Sequence, residues 1–282
     1  MARRRPFVQC DVFTAVPTRG NALAVVLDAE GLDEAAMAAF AAWTNLAETT
    51  FVFPPDDPAA DYRVRIFTPT REMPFAGHPT LGTCAAWRHA GGVPREAGIV
   101  RQECGVGLVE IDLRGEVAAF VAPPTRIGPL EEAARDALLA ALGIEPSRLI
   151  ATARLDNGPA WQLLELASAE DVLAVDAARV RWPAFRPIGL LGRQAAGADT
   201  DYEVRMLAPS SGMSEDPITG SLNAAVAHWL AANGRLDGDV VVAQGTRIGR
   251  RGRVYVRPDP AVPGRVRIGG ETHVLVEGTV LL

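Results

Sequence analysis

Alternating and wholly apolar stretches along this chain predict many short strands and few helices. Segments 7–12, 22–27, 49–53 and 62–67 in the first half are rich in β-branched and aromatic residues, which favour strands. Strands are predicted in the same way at 149–153, 160–166, 240–244 and 254–257. Helical spacing is typical of 33–44 and 131–142 and of the Ala-rich runs 84–89 and 222–233. Each half therefore reads as a run of strands around one long helix. The short connections favour mostly antiparallel pairing in an α+β fold.

Two parts of the chain repeat the same order of residues. Residues 61–70 read DYRVRIFTPT and residues 201–210 read DYEVRMLAPS, 140 positions apart. After a slip of two residues, His78-Pro79-x-x-Gly82-Thr83 matches Asp216-Pro217-x-x-Gly220-Ser221. Each match leads into one of the Ala-rich helical runs. We interpret this as an internal duplication of strand, loop and helix, which predicts two half-length lobes rather than a solenoid.

The repeat suggests a site for an anion. Asp216 has the residue type of an N-cap and Pro217 suits the first helical position, with His78-Pro79 in the same places. If the lobes face each other, two helix N-termini point into one cleft. Their free backbone N–H groups and positive dipole ends would bind a carboxylate there.

Composition excludes several classes of protein. With 282 residues, 48% apolar and 22% charged, the chain has room for two ordinary globular domains. A net charge of -6 without a long basic run argues against nucleic acid as a partner. The sequence contains no stretch of about 20 apolar residues, so no membrane span is predicted. No G-x-G-x-x-G motif follows a predicted strand, so a dinucleotide-binding site is not supported. The chain has three cysteines, an odd number, and they show no C-x-x-C spacing: Cys10, Cys84 and Cys104. This pattern favours a reducing cytoplasm and argues against a zinc site.

Three motifs follow one another along the chain: Asn45-x-x-Glu48-Thr49-Thr50-Phe51-Val52, Phe67-Thr68-Pro69-x-x-Glu72-x-Pro74-Phe75-Ala76-Gly77-His78-Pro79-Thr80-x-Gly82, and Glu215-Asp216-Pro217-x-Thr219-Gly220-Ser221. They resemble those of the phenazine-biosynthesis (PhzF-like) isomerase family, within the diaminopimelate epimerase fold. The resemblance covers the whole chain. It implies two similar lobes, each a sheet wrapped around a central helix, with the active site in the cleft between them. It also implies a homodimer and no cofactor. The expected first domain comprises residues 1–123 plus about 274–282, because the last strand returns to the first lobe. The expected second domain comprises residues 124–273.

The resemblance also assigns site residues. The family's acid/base glutamate falls on Glu48. The remaining site positions are the glycine–histidine pair Gly77 and His78, the second-lobe aspartate Asp216, and the Gly–Ser pair Gly220 and Ser221. The expected catalytic residues are Glu48, His78 and Asp216. Gly77, Gly220 and Ser221 are expected to bring backbone N–H groups close to a substrate carboxylate. Ala47 and Leu222 depart from the family pattern and bear on which substrate fits.

The chemistry expected of Glu48 is proton transfer. Moving a proton between two carbons needs a base and an acid, and one carboxylate can be both on one face of a substrate. Leu46, Ala47 and Phe51 are neighbours that would raise its pKa toward neutrality. For His78 two roles stay open, a bond to the free N–H groups of the helix or assistance in proton transfer and substrate binding. For Asp216, capping and a substrate role are compatible.

Other candidates are interpreted as structural. Glu72 has no repeat partner in this alignment, where Gly212 lies opposite, and is expected to hold its loop by hydrogen bonds. His89, His228 and His273 lack ligand spacing, so no metal site is expected. Trp43, Trp87 and Trp229 lie in helical stretches and are expected in the core.

Racemisation by two facing thiols, one from each lobe, is used by fold relatives and is disfavoured here. The corresponding positions carry His78 and Asp216, and Cys84 aligns with Leu222.

Three hypotheses remain for the function. The first is a cofactor-independent isomerase that shifts a double bond in a small carboxylate resembling trans-2,3-dihydro-3-hydroxyanthranilate. The second is an epimerase or racemase of a small amino or hydroxy acid that uses Glu48 with His78 or Asp216. The third is a non-catalytic member that binds a metabolite or protein.

Overall fold

The chain divides into two compact units. In the computed structural model, residues 2–180, 187–207, 214–259 and 262–282 are described. The first unit comprises Met1–Val121 with Gly269–Leu282, and the second Ala122–Ile268. Most of a loop predicted at 182–187, and the last three residues of the second repeat segment, lie outside the described residues. Within the described ranges, no helix is long and apolar enough to cross a membrane.

The elements follow one another as strands interrupted by single helices. In chain order they are β1 (Arg4–Val12), β2 (Asn21–Val26), α1 (Glu34–Thr44), β3 (Glu48–Phe53), β4 (Tyr62–Phe67), β5 (Glu72–Met73), α2 (Gly77–His89), β6 (Ile99–Cys104), β7 (Gly107–Asp112), β8 (Ala119–Val121), β9 (Arg126–Gly128), α3 (Glu132–Leu142), β10 (Leu149–Asp156), β11 (Ala160–Leu166), α4 (Ala169–Ala174), β12 (Ile188–Arg193), β13 (Tyr202–Leu207), α5 (Gly220–Ala232), β14 (Val240–Gln244), β15 (Gly252–Pro258), β16 (Val266–Gly269) and β17 (Thr272–Leu281). The predicted α+β class is confirmed.

In the first unit a sheet surrounds α2. Its order is β17–β1–β2–β3–β4–β6–β7–β8, and β5 also pairs with β4. Among the pairs described in this sheet, β2–β3 and β4–β6 are parallel, and α1 and α2 form the crossover connections that such pairs need. α2 contacts β1, β2, β3, β6, β8 and β17. Most of its residues are buried, as expected for a helix enclosed on several sides.

In the second unit the strand order is β9–β10–β11–β12–β13–β14–β15. Here β11–β12 and β13–β14 are the parallel pairs, connected through α4 and α5. α5 contacts β10 and β15 and is also largely buried. A separate apolar cluster lies where α3 and α4 cover the sheet, and includes Leu138, Val172 and Leu190.

The two units repeat one topology. From β1 to β7 the strand pairs are antiparallel, parallel, antiparallel, parallel and antiparallel, and the same sequence runs from β10 to β15. The long helices α2 and α5 both have 13 residues. This shared order is what an internal duplication predicts.

Candidate active site

The predicted acid/base residue opens a strand. Asn45 ends α1 in the left-handed conformation, at φ 55° and ψ 27°, and two residues later β3 begins at Glu48. β3 is fixed between β2, where Glu48 is the register partner of Leu23, and β4. Its second residue, Thr49, is buried and shares a 2.9 Å hydrogen bond with Thr44 of α1. The Glu48 side chain therefore projects from a backbone that neighbours hold on both sides.

Glu48 and His78 are in direct contact. His78 Nδ1 lies 2.9 Å from Glu48 Oε2, and the two side chains are 4% and 20% exposed. When Glu48 is ionised its carboxylate can only accept, so Nδ1 carries the hydrogen and donates a hydrogen bond to Oε2. His78 Nε2 is buried and has no partner among the described residues. The pair thus combines a partly exposed carboxylate with an imidazole nitrogen open to a further polar group.

Capping by His78 is not observed. α2 begins at Gly77, its N-cap is Ala76, and no side chain makes the cap hydrogen bond. His78 is therefore the second helical residue, and its ring turns to Glu48 instead of the helix N–H groups. Gly77 lies directly at the N-terminus, where backbone N–H groups have no intrahelical acceptor.

The environment of Glu48 differs in one respect from the sequence prediction. Phe51 does not flank the carboxylate, because successive side chains of a strand point to opposite faces. Phe51 packs into a cluster with Met37, Phe40 and Phe67. On the other face Thr50 accepts a 2.9 Å hydrogen bond from Thr83 of α2. This hydroxyl pair joins β3 to the helix that carries His78.

Asp216 lies in the second unit, and it does not cap α5. That helix begins at Gly220, with Thr219 as N-cap and no side-chain cap bond. Asp216 instead forms an isolated antiparallel bridge with Met206, and its N–H donates to the Met206 carbonyl at 3.0 Å. The Thr219 hydroxyl donates to Asp216 Oδ2. The carboxylate is therefore held by the loop ahead of the helix.

The helix starts correct the alignment of the two repeats. Glu72-x-Pro74-x-x-Gly77 and Glu215-x-Pro217-x-x-Gly220 both run into the first residue of a helix. The strand pairing agrees, since Ile66↔Met73 in the first repeat matches Met206↔Asp216 in the second. The counterpart of His78 is therefore Ser221, and the counterpart of Asp216 is Met73. The alignment of His78 with Asp216 was wrong.

The same correction gives Glu72 a repeat partner. Arg65 Nε and Nη2 each lie 2.6 Å from an oxygen of Glu72, so Glu72 holds its loop to β4, as predicted. In the second repeat Arg205 binds Glu215 through the same two nitrogens, at 3.0 and 2.7 Å. The first pair is 30% and 35% exposed, and the second is 1% and 1%. Sequence analysis missed Arg205, although the duplication places it opposite Arg65.

Gly220 and Ser221 form the first turn of α5. The Ser221 carbonyl accepts a 2.8 Å hydrogen bond from Asn157 Nδ2, and Asn157 Oδ1 accepts one from Trp161. Asn157 thus fixes the helix N-terminus from the β10–β11 turn. No motif in the sequence indicated this residue.

The predicted site residues divide between the two units. The first unit holds Glu48, Gly77 and His78, and the second holds Asp216, Gly220 and Ser221.

Thiol chemistry has no support at these positions. Residues 122–268 contain no cysteine, so the second unit cannot provide one of two facing thiols. Burial raises the pKa of Cys10 and of Cys84 to about 12, which keeps both as neutral thiols. The residues that stand at the helix starts are Ala76-Gly77-His78 and Thr219-Gly220-Ser221.

The remaining histidines and tryptophans are outside the site. His89 is exposed and lies 2.9 Å from Glu277. Burial lowers the pKa of His228 on α5, which favours a neutral ring. Across the described ranges, no group of histidine, cysteine or acidic side chains is arranged to hold a metal ion. Trp43 is 79% exposed and stacks on Phe40, so its predicted place in the core was wrong.

Comparison with known proteins gives consistent matches over nearly the whole chain. The family described as "Phenazine biosynthesis-like protein" matches residues 10–278. The chain is 33% identical over 289 residues to a trans-2,3-dihydro-3-hydroxyanthranilate isomerase of Pseudomonas fluorescens, covering 98% of this chain and 99% of that protein. It is 34% identical to antisense-enhancing sequence 1 of Schizosaccharomyces pombe, covering 96% and 97%. A solved PhzF-family structure from Bacillus anthracis matches with a TM-score of 0.84 at 24% identity, covering 99% and 100%, and shows the same fold.

Proposed function

Because this chain belongs to the phenazine biosynthesis-like family and is an isomerase, we propose that it moves a proton within a small carboxylated substrate resembling trans-2,3-dihydro-3-hydroxyanthranilate. Glu48 is the acid/base. Its carboxylate removes a proton from one carbon, the double bond shifts, and the same carboxyl returns the proton to another carbon. Atoms and electrons balance within the substrate, so side chains alone suffice and no cofactor is needed. The enzymatic assignment sets aside the hypothesis of a non-catalytic member.

The contact between Glu48 and His78 is the observation that carries this proposal. Hydrogen bonding to His78 Nδ1 orients one carboxylate oxygen, and the partial exposure of Glu48 leaves the group within reach of a substrate. His78 Nε2 is buried and unpartnered, which suits a bond to a polar group of the substrate. We therefore give His78 the role of orienting Glu48 and holding the substrate.

The second set of residues is assigned to substrate binding and orientation. Asp216 is proposed to act directly on the substrate, and Gly77, Gly220 and Ser221 to offer backbone N–H groups to its carboxylate. The support is that α2 and α5 both begin without a side-chain cap, which leaves their first N–H groups open to an anion. A homodimer in a reducing cytoplasm completes the proposal. Sedimentation velocity would test the dimer, and a monomer at micromolar concentration would contradict it.

Turnover in deuterated buffer tests the function. The protein is mixed with trans-2,3-dihydro-3-hydroxyanthranilate, the loss of substrate absorbance is followed, and deuterium in the product is measured. We expect wild-type turnover and a loss of about 10²- to 10⁴-fold in Glu48→Gln, because general acid–base catalysis contributes about that much.

Glu72→Gln is the matched control. It removes a carboxylate from the other motif loop, where Glu72 binds Arg65 rather than His78, and should keep most of the activity. Equal turnover in wild type and Glu48→Gln would rule out Glu48 as the acid/base. No turnover by folded wild-type protein would rule out this substrate. Product configuration separates a double-bond shift from the alternative, epimerisation at a single carbon.

A further inference from the structure

Two side chains behind Asp216 form a hydrogen-bond chain that ends on its carboxylate. Gln244 Nε2, at the end of β14, donates to the Thr219 hydroxyl at 3.0 Å and to the Asp216 carbonyl at 3.3 Å. Thr219 Oγ1 in turn donates to Asp216 Oδ2. All three side chains are buried. Asp216 is thus bonded through both its backbone and its carboxylate.

The direction of each bond in this chain is fixed. Gln244 Oε1 accepts from the Thr219 backbone N–H at 3.0 Å and from Asn223 Nδ2 at 2.7 Å. Flipping the amide would place its NH₂ against these two donors, so Nε2 must face the Thr219 hydroxyl. That hydroxyl has a single hydrogen and accepts from Gln244. Its hydrogen is therefore directed at Asp216.

The fold does not require this arrangement. In the corrected alignment the first repeat builds the same strand, loop and helix with Met73 in place of Asp216 and Ala76 in place of Thr219. The parallel pairs Tyr62↔Gln102 and Tyr202↔Val242 are equivalent in the two repeats. Two residues further along each second strand, the first repeat therefore has Cys104 where the second has Gln244. The bonds from Gln244 to the Thr219 hydroxyl and from that hydroxyl to the carboxylate therefore occur only in the repeat that carries the aspartate.

We propose that Thr219, aligned by Gln244, is a positioning residue that sets the orientation of the Asp216 carboxylate for the substrate. The inference rests on the proposed function, in which Asp216 acts on the substrate. A hydrogen bond to an ionised carboxylate is stronger than one between neutral groups, so the Thr219 hydroxyl favours the carboxylate orientation in which Oδ2 faces it. Leaving the bond unmade would remove the contact that favours this orientation of Oδ2.

Thr219→Val and Thr219→Ser form a matched pair of tests. Valine keeps the shape and the backbone N–H to Gln244 but has no hydroxyl, whereas serine keeps the hydroxyl. Crystal structures of both variants should show a rotated or split Asp216 carboxylate in Thr219→Val and the wild-type orientation in Thr219→Ser. This measurement does not depend on the substrate. A wild-type carboxylate orientation in Thr219→Val would overturn the proposal.

Kinetics on the substrate of the proposed function then link orientation to turnover. We expect Thr219→Val to lose about 10- to 100-fold in kcat/KM, the range for one hydrogen bond to a charged group, and Thr219→Ser to recover most of it. The division of the loss between kcat and KM should follow that of Asp216→Asn. A stability defect alone would not reproduce that division.

A double-mutant cycle separates this inference from the function on which it rests. Adding Thr219→Val to Asp216→Asn should cost little more, because both remove the same oriented carboxylate. Equal losses in the two backgrounds would overturn the positioning role and leave the role of Asp216 standing. Full activity of Asp216→Asn would instead remove the proposed role of Asp216, and the positioning role would fall with it.

Discussion

Arg205→Met removes one partner of the buried ion pair in the second unit. Arg205 binds both oxygens of Glu215, and its Nη1 also donates to the carbonyls of Val172 and Val175 at 2.8 and 2.6 Å. Methionine fills a similar volume but offers no donor. Glu215 would remain as an unpaired carboxylate that is 1% exposed. Breaking a buried pair in this way costs about 3–5 kcal/mol.

The repeat provides a matched control in the same molecule. Arg65→Met breaks the equivalent pair with Glu72 and also a 2.9 Å contact with Glu34. Solvent reaches Arg65 and Glu72, so the attraction between them is screened. We expect a loss of about 0–1 kcal/mol. The two arginines occupy the same position in the repeat, so the difference between the variants reflects burial of the ion pair together with the two carbonyl bonds of Arg205.

Guanidinium unfolding followed by tryptophan fluorescence at pH 7 measures both losses. The guanidinium midpoint of Arg205→Met should fall clearly, and its Tm in a thermal scan should fall by about 10 °C. Both values for Arg65→Met should stay close to those of the wild type. Adding Glu215→Leu to Arg205→Met should recover a large part of the stability, because no charge is then left unpaired. Similar losses in the two single variants would refute the reasoning from burial.

Two further outcomes follow from buried titratable groups. Burial raises the pKa of Glu203 to about 7, so the folded protein holds this proton more tightly than the unfolded chain, and stability falls as pH rises from the ordinary carboxyl range through about 7. Glu203→Gln should therefore be more stable than wild type at pH 8 by up to roughly 3 kcal/mol, and the difference in unfolding free energy should be much smaller at pH 5. Urea titrations that give the same difference at both pH values would contradict this. A thiol reagent at pH 8 should label only Cys104 in the native protein, because Cys10 and Cys84 are buried with pKa values of about 12; rapid labelling of a second thiol before unfolding would be inconsistent with that burial.

Much of the fold could be predicted from the sequence because local patterns specify elements. Asp33 was placed at the start of the first helix, and it caps α1 by accepting from the Ala36 N–H at 2.8 Å. The predicted strand 49–53 is observed one residue longer, from Glu48. Trp43 shows the limit of such patterns, since helical spacing alone does not tell which residues another element covers. Burial depends on neighbours distant in the chain.

The sequence by itself determined the α+β class, the existence of the duplication and the motif residues. Only the tertiary structure decided how the two copies align. Pro-x-x-Gly occurs at both Pro74 and Pro79 in the first repeat, and either could align with Pro217-x-x-Gly220 of the second. The glutamate two residues before Pro217 has a counterpart before Pro74 but not before Pro79, whereas the alignment of His78-Pro79 with Asp216-Pro217 selected Pro79, which was wrong. The choice is made by pairing across the sheet, where Met73 and Asp216 each meet the preceding strand, because backbone hydrogen bonds between strands fix where each helix begins.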